Sequence, residues 1–253
     1  MADGEALRRQ YLQALGVQLW ERRSVATPAV TPPEPAAADV GETAGTRDNT
    51  GAGGVGRTTV RLPIGNPALA AMDWKSLEAA VCGCVACTLH NSRTQTVFGV
   101  GDRRAQWMFI GEAPGEQEDL QGQPFVGRAG QLLNAMLAAI GFEREQVYIA
   151  NVLKCRPPNN RDPQIEEIAR CEPYLLRQIE LVGPRIIIAL GRHAAHSLLK
   201  TEMPLNKLRG RRLNYHGIPL VVTYHPAYLL RNPVDKRKVW DDLCLARAVV
   251  ERA

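Results

Sequence analysis

Two groups of residues in this sequence have types and spacings suited to chemistry. The first is a set of thiols. Cys84 and Cys87 form a C-x2-C pair in VCGCVACTL, and Cys155 and Cys171 follow singly, far downstream, in NVLKCRPPNNR and ARCEPYL. A pair followed by two single thiolates suits tetrahedral zinc or a four-iron cluster, and spacing does not choose between them. Buried core thiols are the plain alternative for Cys155 and Cys171. A redox dithiol belongs at a strand–helix junction of thioredoxin type, a pattern absent around Cys84. Cys82 and Cys244 are left over. Any metal on the four would clip the first helix of the domain to the segment after its second strand. The second group lies in residues 111–130, GEAPGEQEDLQGQPFVGRAG. Here Glu112, Glu116, Glu118 and Asp119 share a loop with Pro114 and Gly115, and Phe125 stands alone among polar and small residues. Asn151 and His225 close two later apolar runs.

These residues need elements to position them. Trp107, Met108, Phe109 and Ile110 form a short apolar run bounded by turn formers, read as a buried parallel strand. After Gly130 the residues Leu132, Leu133, Met136, Leu137 and Ile140 recur at helical spacing. Residues 146–152, 184–191 and 217–224 read as three further strands, the third of the four being β-branched and wholly apolar, as a central parallel strand should be. A helix opens at Asp162-Pro163, with Pro173 as a candidate break point. A short helix spans residues 193–199, and a last helix runs over 236–250. Strands alternating with helices predict a three-layer α/β/α sandwich around a four-stranded parallel sheet. Ligands bind outside the carboxyl ends of such strands. The loop after Ile110, Asn151 and His225 should therefore converge at one edge of the sheet.

The N-terminal part reads differently. Leu7, Tyr11, Leu15 and Leu19 stripe one face of a helix flanked by Arg8, Arg9, Arg22 and Arg23, assigned to residues 1–25 and suited to docking on its own domain or on a protein or DNA partner. Residues 26–66, rich in Pro, Ala, Thr and Gly, bury too little apolar surface to offset chain entropy and are expected to be a disordered linker. The folded domain is expected over 67–253, with Trp74, Leu77 and Val81 on its first helix. The net charge of +5 is compatible with a nucleic-acid partner. No apolar run approaches the ~20 residues of a membrane span, and no basic-then-apolar leader opens the chain, so a cytoplasmic location is expected. A monomer is expected as well. No Gly-rich phosphate loop ending in Lys-Ser/Thr is present, which removes a P-loop nucleotide-binding protein.

The blocks GEAPGEQED, PFVGRAGQLL, NVLKCRPPNNR and HPAYLLR, in this order and with the four cysteines, resemble the iron–sulfur (family 4) uracil-DNA glycosylases of bacteria and archaea over about residues 74–250. The resemblance implies a monofunctional enzyme of base excision repair. It would flip uracil from single- or double-stranded DNA and hydrolyse the N-glycosidic bond, leaving an abasic site. It implies a 4Fe-4S cluster on Cys84, Cys87, Cys155 and Cys171. Phe125 then gives uracil a stacking face, and the amide of Asn151 reads N3–H and O4, a pattern that cytosine inverts. His225 donates to O2 as charge grows on the leaving ring. Leu229 or Leu230 wedges into the vacated stack, and Arg231, Arg156, Arg161 and Lys154 are candidate phosphate contacts.

One position departs from a related branch of the superfamily. Where that branch has a water-activating Asp, this sequence has Ala113, which is left to line the uracil pocket. Glu112 and Glu118 are the remaining carboxylates for water activation or for stabilising the sugar cation, with Glu118 favoured for the cation. Another branch bonds covalently to DNA through a histidine in an inserted loop. Only LQGQP separates Asp119 from Phe125, so no covalent reaction is expected. The competing expectation is a non-catalytic DNA-binding or polymerase-docking module of the same fold, against which Phe125, Asn151 and His225 stand together.

Overall fold

The computed structural model describes residues 61–252; the amphipathic N-terminal helix and most of the linker lie outside the described residues. Six strands form one sheet: β1 (Val100–Gly101), β2 (Trp107–Gly111), β3 (Tyr148–Asn151), β4 (Ile186–Leu190), β5 (Leu213–Tyr215) and β6 (Ile218–Thr223), in the order β1-β3-β2-β4-β6-β5. The four central strands are parallel to their neighbours, as their continuous apolar runs predict. The two edges are antiparallel additions absent from the four-strand expectation. They are two and three residues long, too short to show an alternation. β5 joins β6 through His216-Gly217, both at positive φ (49° and 89°), the geometry of a tight two-residue hairpin.

Alternate residues of each central strand enter opposite cores. Trp107, Phe109, Ile149, Ile186, Ile188 and Val221 face one side, where α4 (Arg128–Ala139) and α9 (Lys236–Glu251) pack. Met108, Ile110, Tyr148, Ile187, Leu220 and Val222 face the other, covered by α5 (Ile165–Val182) and α6 (Arg192–Leu199). This is the expected three-layer sandwich. α1 (Pro67–Ala70) and α2 (Trp74–Cys82) pack a smaller cluster through Leu69, Leu77 and Val81. Three short helices complete the fold: α3 (Glu116–Gln121), α7 (Leu205–Leu208) and α8 (Pro226–Arg231).

Two expectations are corrected. The linker does not run to residue 66: Leu62 is buried in the core beneath α5, and its amide donates to Glu180. Nor does Pro173 break a helix, because α5 continues through it. The carbonyl left without a partner belongs to Ala169, a solvent-exposed residue, so water can satisfy it. Among the described residues no helix is long and apolar enough to cross a membrane.

Candidate active site

A cleft of about 1700 Å³, including its open mouth, lies at the carboxyl ends of the parallel strands. Glu112, Ala113, Phe125, Asn151, His193 and His225 are among its walls. β2 ends at Gly111, and a side chain there is excluded by close approach. A Cβ would lie 2.4 Å from Asn151 Oδ1 and 2.5 Å from Phe125 Cζ. Gly111 is therefore the floor on which the Phe125 ring and the Asn151 amide meet. Phe125 is held at φ 53°, a left-handed conformation unfavourable for a large side chain and maintained by its surroundings. Its ring centroid is 5.5 Å from that of His225, with planes 33° apart.

Asn151 is the last residue of β3 and 2% exposed, and its Oδ1 has no hydrogen-bond partner. A buried acceptor left unmade costs about 1–3 kcal/mol, which a ligand N–H placed there would recover. His225 follows β6 and occupies the N-cap of α8, with Pro226 in the first helical position. Its Nδ1 accepts from Ala227 N at 3.1 Å. The cap thus fixes the tautomer, leaving the proton of the neutral ring on Nε2. Burial, with the Arg231 charge beside it, pushes the His225 pKa down to about 4 against smaller opposition from Glu118. At neutral pH this ring is an uncharged donor.

The carboxylates divide. Glu118 Oε2 accepts from Gly115 N at 3.1 Å, and Oε1 accepts from Val126 N at 2.9 Å and Gly127 N at 3.0 Å. Both oxygens hold the loop that carries Phe125, and the side chain also lines the cleft. Glu112 is not engaged in this way. Burial, then the charge of Asp162, pushes its pKa up to about 7 against the opposing Arg192. His193 Nε2 stands 3.3 Å from Asp162 Oδ2 and 4.0 Å from Glu112 Oε2. Sequence reasoning missed His193 and Asp162 as site residues. His193 lies three residues past β4, at the carboxyl edge where site residues were sought on the other strands, so the same rule pointed to it.

On the rim, Leu230 is 38% exposed, whereas Leu229 is fully buried against α4. A wedge can therefore only be Leu230, since residues one apart on a helix point in different directions. Arg231 is exposed. Arg156 donates to Asn160 Oδ1, and Arg161 grips both oxygens of Glu167. Lys154 is not a surface cation: it is 1% exposed, with Nζ bonded to Asn151 O and Gln178 Oε1.

Cys84, Cys87, Cys155 and Cys171 together line a second, much smaller cavity. Donors point at two of the sulfurs: Arg93 Nη1 lies 3.0 Å from Cys155 Sγ, and Lys154 N lies 3.2 Å from Cys171 Sγ. Such donors suit thiolates. Four sulfurs around one zinc, at about 2.3 Å each, would lie about 3.8 Å apart. Among the described residues the one group of three or more ligating side chains with donor atoms within 4.8 Å of one another is Glu112, Asp162 and His193. Cys155 also packs in one small cluster with Ala113, so this cavity backs directly onto the cleft.

Comparison with known proteins places these features in a family. The sequence pattern of the uracil DNA glycosylase superfamily matches residues 98–244. A type-4 uracil-DNA glycosylase of Archaeoglobus fulgidus is 47% identical over 161 residues, 60% of this chain and 81% of that protein. Those of Thermotoga maritima and Saccharolobus solfataricus are 45% and 48% identical, covering 67% and 63% of this chain and 90% and 78% of their own lengths. The matched span takes in all six strands and the cleft at their ends, and on that shared framework the chain belongs to the uracil-DNA glycosylase superfamily.

Proposed function

We propose that this protein removes uracil from DNA by hydrolysing the N-glycosidic bond of a flipped nucleotide. The observation that carries the reading is the unpartnered Oδ1 of buried Asn151, beside the Phe125 ring and in the same cleft as a tautomer-fixed His225. The flipped base stacks on Phe125. Asn151 Oδ1 accepts N3–H and its NH2 donates to O4. Cytosine has an acceptor at N3 and a donor at C4, so it meets like groups on both and leaves the site unsatisfied. As the C1′–N1 bond breaks, negative charge moves onto the ring, and His225 Nε2–H donates to O2. Gly111 and Ala113 keep the floor and wall bare, and Glu118 positions Phe125 by clamping its loop. Leu230 fills the vacated stack, and Arg231 and Arg156 meet phosphates, with Arg161 a weaker candidate because its fork is engaged.

Cys84, Cys87, Cys155 and Cys171 would hold a 4Fe-4S cluster, supported by the pocket they line together and by their sulfur-directed donors. When bound, the cluster supplies a structural clip between α2, the segment after β3, and α5. The test of the overall reading is base release from matched oligonucleotides carrying one U, T or C. Abasic sites are expected with U alone. Cluster-loaded protein that binds these strands and releases nothing would instead be a binding module.

Glu112 is assigned to the developing positive charge on the sugar and to the attacking water. Asp162, Arg192 and His193 are the charged and titratable groups facing it. Its carboxyl is about half ionised near pH 7, and the anion grows as pH rises. Single-turnover release is therefore expected to increase through pH 7, and Glu112→Gln to flatten that limb. A wild-type rate that falls over the same interval would remove Glu112 from this role.

A further inference from the structure

Lys154 is the least expected group in the structure. The residue lines the cysteine cavity, and its buried Nζ reaches the backbone of Asn151, a residue of the cleft. It donates to Asn151 O at 2.8 Å and to Gln178 Oε1 at 2.6 Å. The Gln178 amide is held in that orientation, because its Nε2 donates to Phe98 O at 2.8 Å and to Tyr148 OH at 3.2 Å. The backbone amide of the same lysine donates to Cys171 Sγ. Among the described residues no carboxylate pairs with this ammonium, while Cys155 follows it directly in the chain and Cys171 accepts from its backbone amide. An isolated buried cation costs several kcal/mol, so its presence calls for a nearby counter-charge. A cluster on four thiolates carries net negative charge and stands where that counter-charge is needed.

We propose that Lys154 is a positioning residue that couples the cysteine centre to uracil recognition, balancing the charge of the centre with its ammonium while the same ammonium fixes the backbone of Asn151. The inference rests on the functional reading above and deepens it. The Asn151 side chain has no internal partner to hold its oxygen, so its aim depends on its own backbone, and that carbonyl is held by Lys154. Gln178 aims the ammonium. The cluster then contributes to uracil binding through one side chain, with no electron transfer in the reaction.

The experiment compares wild-type protein, Lys154→Met and Gln178→Leu. It reads iron per chain, the midpoint potential of the cluster, and inhibition by free uracil. Wild type should carry about four irons per chain. In Lys154→Met, loss of a nearby positive charge should move the potential negative, and inhibition by uracil should weaken about 10–100-fold, the range seen when outer-shell partners are lost. In Gln178→Leu the ammonium stays but loses its guide, so uracil inhibition should weaken while the potential moves much less. A general loss of packing would not separate the two readouts in this way. If Lys154→Met does not retain iron, Gln178→Leu decides, and unchanged uracil inhibition in that variant overturns the proposal. Wild-type protein that neither releases nor binds uracil overturns the functional reading instead.

Discussion

Replacing His225 with alanine is expected to slow single-turnover release of uracil about 10²–10³-fold, the loss typical when one preorganised donor to a developing anion is removed. The pH dependence should identify the form of the ring. With its pKa near 4, His225 is neutral throughout the range from pH 5 to 9, so it should add no limb to the rate there. An imidazolium donor would behave oppositely: its rate would decline as pH rose past about 6.5, the ordinary histidine value. Alanine also removes the cap of α8, which costs about 1 kcal/mol of stability by itself. His225→Asn separates the two effects. Its short amide can still cap the helix but withdraws the donor from the cleft, so stability should return without activity. Recovery of rate with the cap would show that His225 acts only through the helix.

Replacing Asn151 with alanine should produce a functional loss of similar size with almost no structural one. Its NH2 donates to a ring gaining negative charge, at about 1.5–3 kcal/mol, and its Oδ1 accepts an ordinary bond from N3–H, at about 0.5–1.5 kcal/mol, which together correspond to about 30–2000-fold in rate. Stability should respond differently. The wild-type protein buries an acceptor that nothing satisfies, and removing it relieves about 1–3 kcal/mol. The small cavity left behind costs a similar amount. The melting transition is therefore expected to shift little, or upward, while uracil release collapses. A large drop in melting temperature would show that the amide is a structural group and would falsify its assignment to base recognition. The contrast with Gly111 is instructive: a methyl group there meets Phe125 and Asn151 together, so Gly111 serves the same recognition by staying bare.

The legible part of the site was that carried by local chemistry. Asn151 and His225 close apolar runs and Phe125 belongs to the loop that follows another, and strand ends are where open α/β sheets bind ligands. The His-Pro pair even contains its own cap, since proline suits the first turn and a side-chain acceptor suits the residue before it. Glu118 shows where local reading fails. Its sequence neighbours suggest a free acid in a polar loop, yet the amides it binds include two from the far end of that loop, at Val126 and Gly127. Glu112 gained its company in the same way, from Asp162 and His193 on segments distant in sequence.

By itself the sequence determined the four parallel strands, the helices between them and the identities of the residues at the strand ends. Hydrophobic period, β-branching and turn residues act over a few neighbouring positions and need no distant partner to be read. Tertiary structure alone decided the rest. β1 and β5 exist only because β3 and β6 offer them hydrogen bonds. Leu229 is core and Leu230 is rim because α4 covers one face of a single turn of helix. Lys154 is buried because Asn151 and Gln178 solvate its ammonium in place of water. Whether a polar side chain faces solvent or protein depends on which groups the fold brings to it from elsewhere in the chain, and that information is not local.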